Sequence, residues 1–139
     1  MISYRVVERE NPVTRQKVFY ALVNPVTPMT LDQVAELIER RSTISTADVK
    51  GVLDALQFEL IHALSDGKSV RLGDLGSFRP TLSSRSAESA EAFLPSNIKG
   101  VRVRFTPSSA LTERLRVDRV SLRNVTDPVV PGADEEGGL

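Results

Sequence analysis

Leu72-Gly73-Asp74-Leu75-Gly76-Ser77-Phe78 marks the point where the hydrophobic period of this 139-residue chain changes from helical to extended. Two glycines three residues apart, with Asp74 between them, read as a tight turn flanked by Val70 and Leu72 on one side and Phe78 on the other. Beyond the turn, Phe78, Pro80 and Leu82 share one side of an extended chain, while Arg79, Thr81, Ser83 and Arg85 share the other. A later stretch repeats the pattern, with Val101, Val103 and Phe105 on one side and Arg102 and Arg104 on the other. Paired, the two strands make an antiparallel sheet with an apolar inner face and an arginine-rich outer face, and Lys99 stands at the entry of the second strand. Between the strands, residues 86–99 combine Ala, Ser and Glu with Phe93-Leu94-Pro95 and are expected to form a long mobile connection.

Upstream of the turn the sequence predicts two helices. Thr30-Leu31-Asp32-Gln33 has capping-box spacing, in which the hydroxyl accepts from a first-turn amide and Gln33 reaches back. Leu31, Val34, Ala35, Leu37 and Ile38 form the apolar stripe, and Arg40-Arg41 set positive charge at the negative end of the helix dipole. Ser45-Thr46-Ala47-Asp48 repeats the start signal, and Val49, Val52, Leu53, Leu56, Leu60, Ala63 and Leu64 follow at helical steps. Phe58 and Ile61 widen that stripe toward the opposite side, and Gly67 supplies the stop. A helix apolar on two sides in so short a chain implies a partner subunit.

The flanks read differently. Tyr4–Glu8 and Val18–Val23, separated by Asn11-Pro12-Val13-Thr14, predict a β-hairpin, and Asn24-Pro25-Val26-Thr27-Pro28 is a connector because its prolines disfavour both helix and strand ladders. Pro107-Ser108-Ser109 opens a short last helix carrying Ala110, Leu111 and Leu115. Residues 117–125 alternate weakly, as an edge strand does. The Pro-, Gly- and acid-rich end is expected to be partly disordered. The expected division is residues 1–28 as hairpin extension and linker, 29–120 as the main α+β domain, and 121–139 as tail.

Composition narrows the function classes. Cysteine is absent and His62 is the one histidine, so no disulfide framework, thiolate metal site or cysteine nucleophile exists, and no histidine zinc site can form. His62, beside Ile61 and Ala63, reads as a partly buried or interfacial side chain. Asp54, Glu59 and Asp66 read as a solvated helix face, since no nucleophile or ligand set accompanies them. The expectation is a non-enzyme without cofactor, metal or small-molecule substrate. No apolar run approaches the ~20 residues that cross a bilayer, and residues 1–29 lack a signal-peptide pattern, so a cytoplasmic location without membrane contact is expected. Asn124-Val125-Thr126 is then an incidental glycosylation match. The 18 basic and 18 acidic side chains cancel, yet they are segregated: the net charge is +2 over residues 1–31, −4 over 32–66, +6 over 67–126 and −4 over 127–139. Gly73-x-x-Gly76 could suggest an RNA-clamping loop of the KH type, but that loop joins helices and this one joins strands.

The order helix, helix, Gly-rich turn, two-stranded arm and short helix, from roughly Thr30 to Val117, resembles the bacterial HU and integration host factor family of DNA-bending proteins. Leu72–Phe78 is similar to that family's Gly-x-x-Gly-Ser/Thr-Phe turn, Ile44–Asp48 to the start of its second helix, and Phe105 with Ala110-Leu111 to the opening of its last helix. The N-terminal hairpin resembles the extension of a divergent branch. The resemblance implies a homodimer that binds duplex DNA with low sequence preference and works on the nucleoid. Read with it, the arginine face gives Arg79, Arg85, Lys99, Arg102 and Arg104 as the expected DNA contacts, and Phe93, Leu94 and Pro95 as the candidate apolar arm wedge. Two departures affect function. The family's Arg-Asn-Pro-x-Thr-Gly arm tip is absent, Ser86-Ala87-Glu88-Ser89-Ala90-Glu91 standing in the arm instead, and Ser108-Ser109 replaces a Gly-Lys pair before the last helix. These departures support a competing expectation, an HU-like interaction or scaffold module that has lost DNA bending.

Overall fold

The computed structural model describes residues 1–126. They form two units, one of Pro28–Arg114 and one that combines Met1–Thr27 with the segment from Leu115 onward. The expectation of disorder in residues 127–139 lies outside the described residues.

In the larger unit, helix α1 spans Leu31–Arg41 and α2 spans Thr46–Ser65. Both start where the capping signals place them. Thr30 Oγ1 accepts from the Gln33 N–H at 3.3 Å, and Gln33 Oε1 accepts from the Thr30 N–H at 2.9 Å, so the box closes in both directions. Ser45 Oγ accepts from the Asp48 N–H at 3.2 Å. Thr46 donates to the Glu39 carboxylate, and Lys50 Nζ meets Asp32 Oδ1 at 2.7 Å, which ties the two helices together through side chains. Among the described residues, the buried apolar side chains are Ala35 on α1 and Val49 on α2.

Strands β3 (Val70–Arg71), β4 (Gly76–Ser84) and β5 (Ile98–Pro107) then form an antiparallel sheet in that order. Phe78 and Phe105 face each other across the ladder with ring centroids 5.0 Å apart, packing above the glycine turn. Helix α3 is short, Ser109–Arg114. Ser108 anchors it to that turn: its N–H donates to the Leu75 carbonyl at 3.3 Å, its hydroxyl donates to the Asp74 carbonyl, and its oxygen accepts from the Leu111 N–H at 3.0 Å. A serine at this position therefore has a local hydrogen-bonding task of its own.

The connection between β4 and β5 is shorter than expected. A 3₁₀ turn occupies Pro95–Asn97 and β5 already begins at Ile98, so the irregular stretch is shorter than residues 86–99. The Arg85 N–H donates to the Asn97 carbonyl at 2.8 Å and the Asn97 N–H to the Leu94 carbonyl at 2.9 Å, which holds its base closed.

In the smaller unit, β1 (Ile2–Glu10) and β2 (Lys17–Val23) form the expected hairpin. Asn11 Oδ1 accepts from the Val13 N–H at 2.9 Å, the side-chain-mimicked turn that suits Asn, and Arg15 takes a left-handed φ of 59°. The hairpin is not isolated. Strand β6, only Leu122–Asn124, joins the other edge of β1 in parallel, making a sheet of order β2-β1-β6. The edge strand expected over residues 117–125 is thus confined to its end, because Arg116–Val120 closes turns instead, with the Arg119 N–H on the Arg116 carbonyl at 2.8 Å.

Candidate nucleic-acid interface

Register decides which side chains share a face, because a strand alternates its side chains with a period of two. Along β4 and β5, Phe78 opposes Phe105, Pro80 opposes Val103 and Leu82 opposes Val101, which makes one face apolar. On the other face Arg79 opposes Arg104, Thr81 opposes Arg102, and Ser83 opposes Gly100. Strand β3 extends that face, since Arg71 pairs with Ser77 while Val70 pairs with Phe78. The outer face therefore carries Arg71, Arg79, Arg102 and Arg104 among hydroxyls and a glycine, with no carboxylate between them.

All four arginines are exposed, and among the described residues none forms an ion pair. Like charges directly opposed across a strand pair are destabilising. The Arg79–Arg104 pairing thus holds a repulsion that an anion lying over both guanidinium groups relieves, and the planar guanidinium is suited to bidentate contact with phosphate oxygens. Among the described residues no three His, Asp or Glu side chains gather as a metal site, and no helix is long and apolar enough to cross a membrane.

Of the residues expected from sequence, Arg79, Arg102 and Arg104 are brought together by the ladder. Arg85 lies one position beyond β4, its backbone bonded to Asn97. Lys99 is displaced: the register steps from Ser83 opposite Gly100 to Ser84 opposite Ile98, so Lys99 is the extra residue of a bulge and opposes nothing on β4. Phe93, Leu94 and Pro95 lie on the return side of the connection, after the turn at residues 90–92, where Phe93 and Leu94 are exposed and Pro95 opens the 3₁₀ turn. Arg71 was missed by sequence reasoning, although the alternation of Val70, Arg71 and Leu72 carries the signal.

The apolar counter-face is also open. Leu82, Val101 and Val103 are 65%, 67% and 58% exposed, and α2 presents Val52, Phe58 and Ile61 to solvent as well. Ile61, Leu64, Pro80, Val101 and Val103 line an open groove of about 430 Å³ between α2 and the sheet.

A protein-family model described as an HU domain fused to wHTH, Ig, or glycine-rich motif matches residues 1–121. Among solved structures, a candidate bacterial DNA-binding protein from Bacteroides vulgatus superposes with a TM-score of 0.65 at 12% identity, covering 93% of this chain and 50% of its own. The chain thus spans half the length of that protein, and the likeness is one of fold. An HU variant from Thermotoga maritima gives a TM-score of 0.48 at 20% identity, covering 63% of this chain and 100% of its own. HU from Anabaena, solved as a cocrystal with DNA, gives 0.49 at 18%, covering 62% and 96%. No curated protein matches the chain.

Proposed function

The chain belongs to the HU-HIG family, HU domains fused to wHTH, Ig or glycine-rich motifs, and from that premise we propose that it is a non-enzymatic architectural protein that binds duplex DNA as a homodimer with little sequence preference. The observation that carries the reading is the face on which Arg79 opposes Arg104 and Thr81 opposes Arg102, free of carboxylates. Such a face reads the phosphate backbone, which positions a protein on DNA and carries no base code. The reading places the protein on the nucleoid in the cytoplasm.

The dimer rests on the opposite face. A unit whose buried apolar side chains are Ala35 and Val49 among the described residues has little core, while α2 and the inner side of the sheet expose Val52, Phe58, Ile61, Leu82, Val101 and Val103. Buried apolar surface is the main favourable term in folding, so a second copy seated on these side chains supplies what one chain lacks. Arg71, Arg79, Arg102 and Arg104 are then doubled to about eight cations. If about six of them neutralise phosphates, log affinity falls with log salt at a slope near −5.

Duplex binding by fluorescence anisotropy over a salt series tests this. Arg102→Glu with Arg104→Glu removes about four contacts from the dimer and is expected to flatten the slope by about 3 to 4. Unchanged affinity and slope in a folded double variant would remove the site. A second reading, an interaction module that no longer bends DNA, is favoured by Glu88 and Glu91 in the arm connection, whose charge opposes phosphate. Failure of the parent protein to bind duplex DNA at physiological ionic strength would select it.

A further inference from the structure

The N-terminal sheet sorts its charges by face as cleanly as the larger sheet does. Alternation along β1 puts Arg5, Val7 and Arg9 on one side, and Tyr4, Val6, Glu8 and Glu10 on the other. On the acidic side the carboxylates are answered: Lys17 Nζ meets Glu8 Oε1 at 3.2 Å and the Arg15 guanidinium meets Glu10 Oε1 at 3.6 Å. That same side is apolar toward its other end, where Ile2, Tyr4, Ala21, Val23 and Leu122 line an open cavity of about 430 Å³ with Leu115, Val117 and Val120.

On the opposite side, among the described residues, no carboxylate answers the arginines. The antiparallel register sets Leu22 beside Arg5, Tyr20 beside Val7 and Val18 beside Arg9, and the parallel register sets Arg123 of β6 beside Ser3. Arg5, Arg9 and Arg123 are exposed, and among the described residues none of them forms an ion pair. Strand geometry spaces Arg5 and Arg9 by ~13 Å, and Arg123 lies one strand over and two residues along from Arg5, ~8 Å away. The three guanidinium groups therefore follow a line of ~20 Å across a three-stranded face. Tyr20, 55% exposed, is diagonal to both Arg5 and Arg9.

An outer strand face needs polar side chains, but mixed signs satisfy that need. Here the acids are held on one side and the positive charges of the other side are all arginine, the side chain best matched to phosphate. A linear array fits a linear polyanion: duplex DNA presents one charge per ~1.7 Å of axis, so a line of this length meets several phosphates in any register. We infer that the face of the N-terminal sheet bearing Arg5, Arg9 and Arg123 is a second nucleic-acid-binding surface, gripping phosphodiester groups in addition to those held by Arg79, Arg102 and Arg104. It rests on the proposed DNA-binding reading but uses none of the same residues.

The test compares full-length proteins on one long labelled duplex: the parent, the Arg102→Glu/Arg104→Glu variant, an Arg5→Gln/Arg9→Gln/Arg123→Gln variant, and the five substitutions together. Three phosphate contacts per protomer, about six in the dimer, contribute about 5.4 to the slope, so over a twofold rise in salt the parent should lose affinity about 40-fold more than the triple variant. Salt-dependent binding should persist in the Arg102→Glu/Arg104→Glu protein and be weakest in the combined variant, which keeps Arg71 and Arg79 of the larger sheet's face. An Arg5→Lys/Arg9→Lys/Arg123→Lys protein should keep the parent slope, which separates lost charge from lost fold, and circular dichroism checks the fold of each variant. A folded triple Gln variant with the parent's slope overturns the inference while leaving the larger sheet's site intact. Binding weakened by the triple variant but not by Arg102→Glu/Arg104→Glu upholds the inference and overturns the larger sheet's site. A parent that binds no duplex overturns both.

Discussion

Gly76 sets where the arginine strand begins, and replacing it with alanine tests the ladder on which the proposed site depends. It is the first residue of β4, buried, opposite Pro107, with φ at 146°. A Cβ placed there would stand 2.5 Å from the Thr106 carbonyl oxygen and 2.7 Å from two ring carbons of Phe105. The carbonyl belongs to β5 and cannot retreat without disturbing the pairing. The Phe105 ring, 5.0 Å from Phe78 between centroids, would have to move off that contact. Backbone strain at this φ costs about 1–3 kcal/mol and overpacking a further ~1–3, so Gly76→Ala should destabilise by roughly 2–6 kcal/mol. Against a typical stability of ~5–15 kcal/mol this is a large share. Gly73 supplies the internal control: its φ is 55°, but nothing lies within 4 Å of its Cβ position, so Gly73→Ala should cost only the left-handed penalty of ~1–2 kcal/mol. Urea unfolding of both variants, at one protein concentration because association shifts apparent stability, measures the difference. If Gly76→Ala costs no more than Gly73→Ala, the close approach of β4 to Phe105 and Thr106 is wrong, and with it the pairing of Arg79 with Arg104.

Sedimentation should find the parent protein dimeric at micromolar concentration, and Phe58→Asp, at a side chain 67% exposed on α2, should shift it toward monomer; a stable, folded parent monomer would contradict the dimer. Arg15→Gly should stabilise by ~1 kcal/mol, because Arg15 occupies a left-handed φ of 59°. Its ion pair with Glu10, 3.6 Å long between exposed side chains, gives up little in exchange. A lower unfolding midpoint for Arg15→Gly would show that the turn depends on that pair.

What could be read in the sequence was local or periodic. The Thr30 and Ser45 caps depend on residues three apart, and both form as their spacing requires. The arginine face follows from a period of two that survives across β4 and β5 without interruption from Ser77 to Ser83. A bulge breaks the inference at Lys99, because one extra residue leaves composition and alternation unchanged on either side while removing its opposite number. The bounds and partner of strand β6 were illegible for another reason: its three residues carry little periodic signal, and β1 is at the far end of the chain. Arg123 could not be joined to Arg5 without that pairing. Two of the three arginines of that face were nevertheless present in plain view, since the basic residues of β1 fall at odd positions, 5 and 9, and the acids at even ones, 8 and 10.

The two proposed properties of the larger unit are the two sides of one strand pair, and this constrains how the protein can change. A one-residue slip of β5 on β4 would move Val101 and Val103 to the outer face and Arg102 and Arg104 to the inner one. It would thus put charge into the proposed dimer contact at the same time as it removed the phosphate contacts. Gly76 guards against that slip through its close approach to Thr106 and Phe105, and Ser108 guards the far side of the same turn by bonding to Asp74 and Leu75. The glycine turn therefore does more than reverse the chain. On the proposed reading it holds the register that keeps the dimer surface apolar and the DNA surface basic, and this is how a chain of zero net charge can present a cationic face.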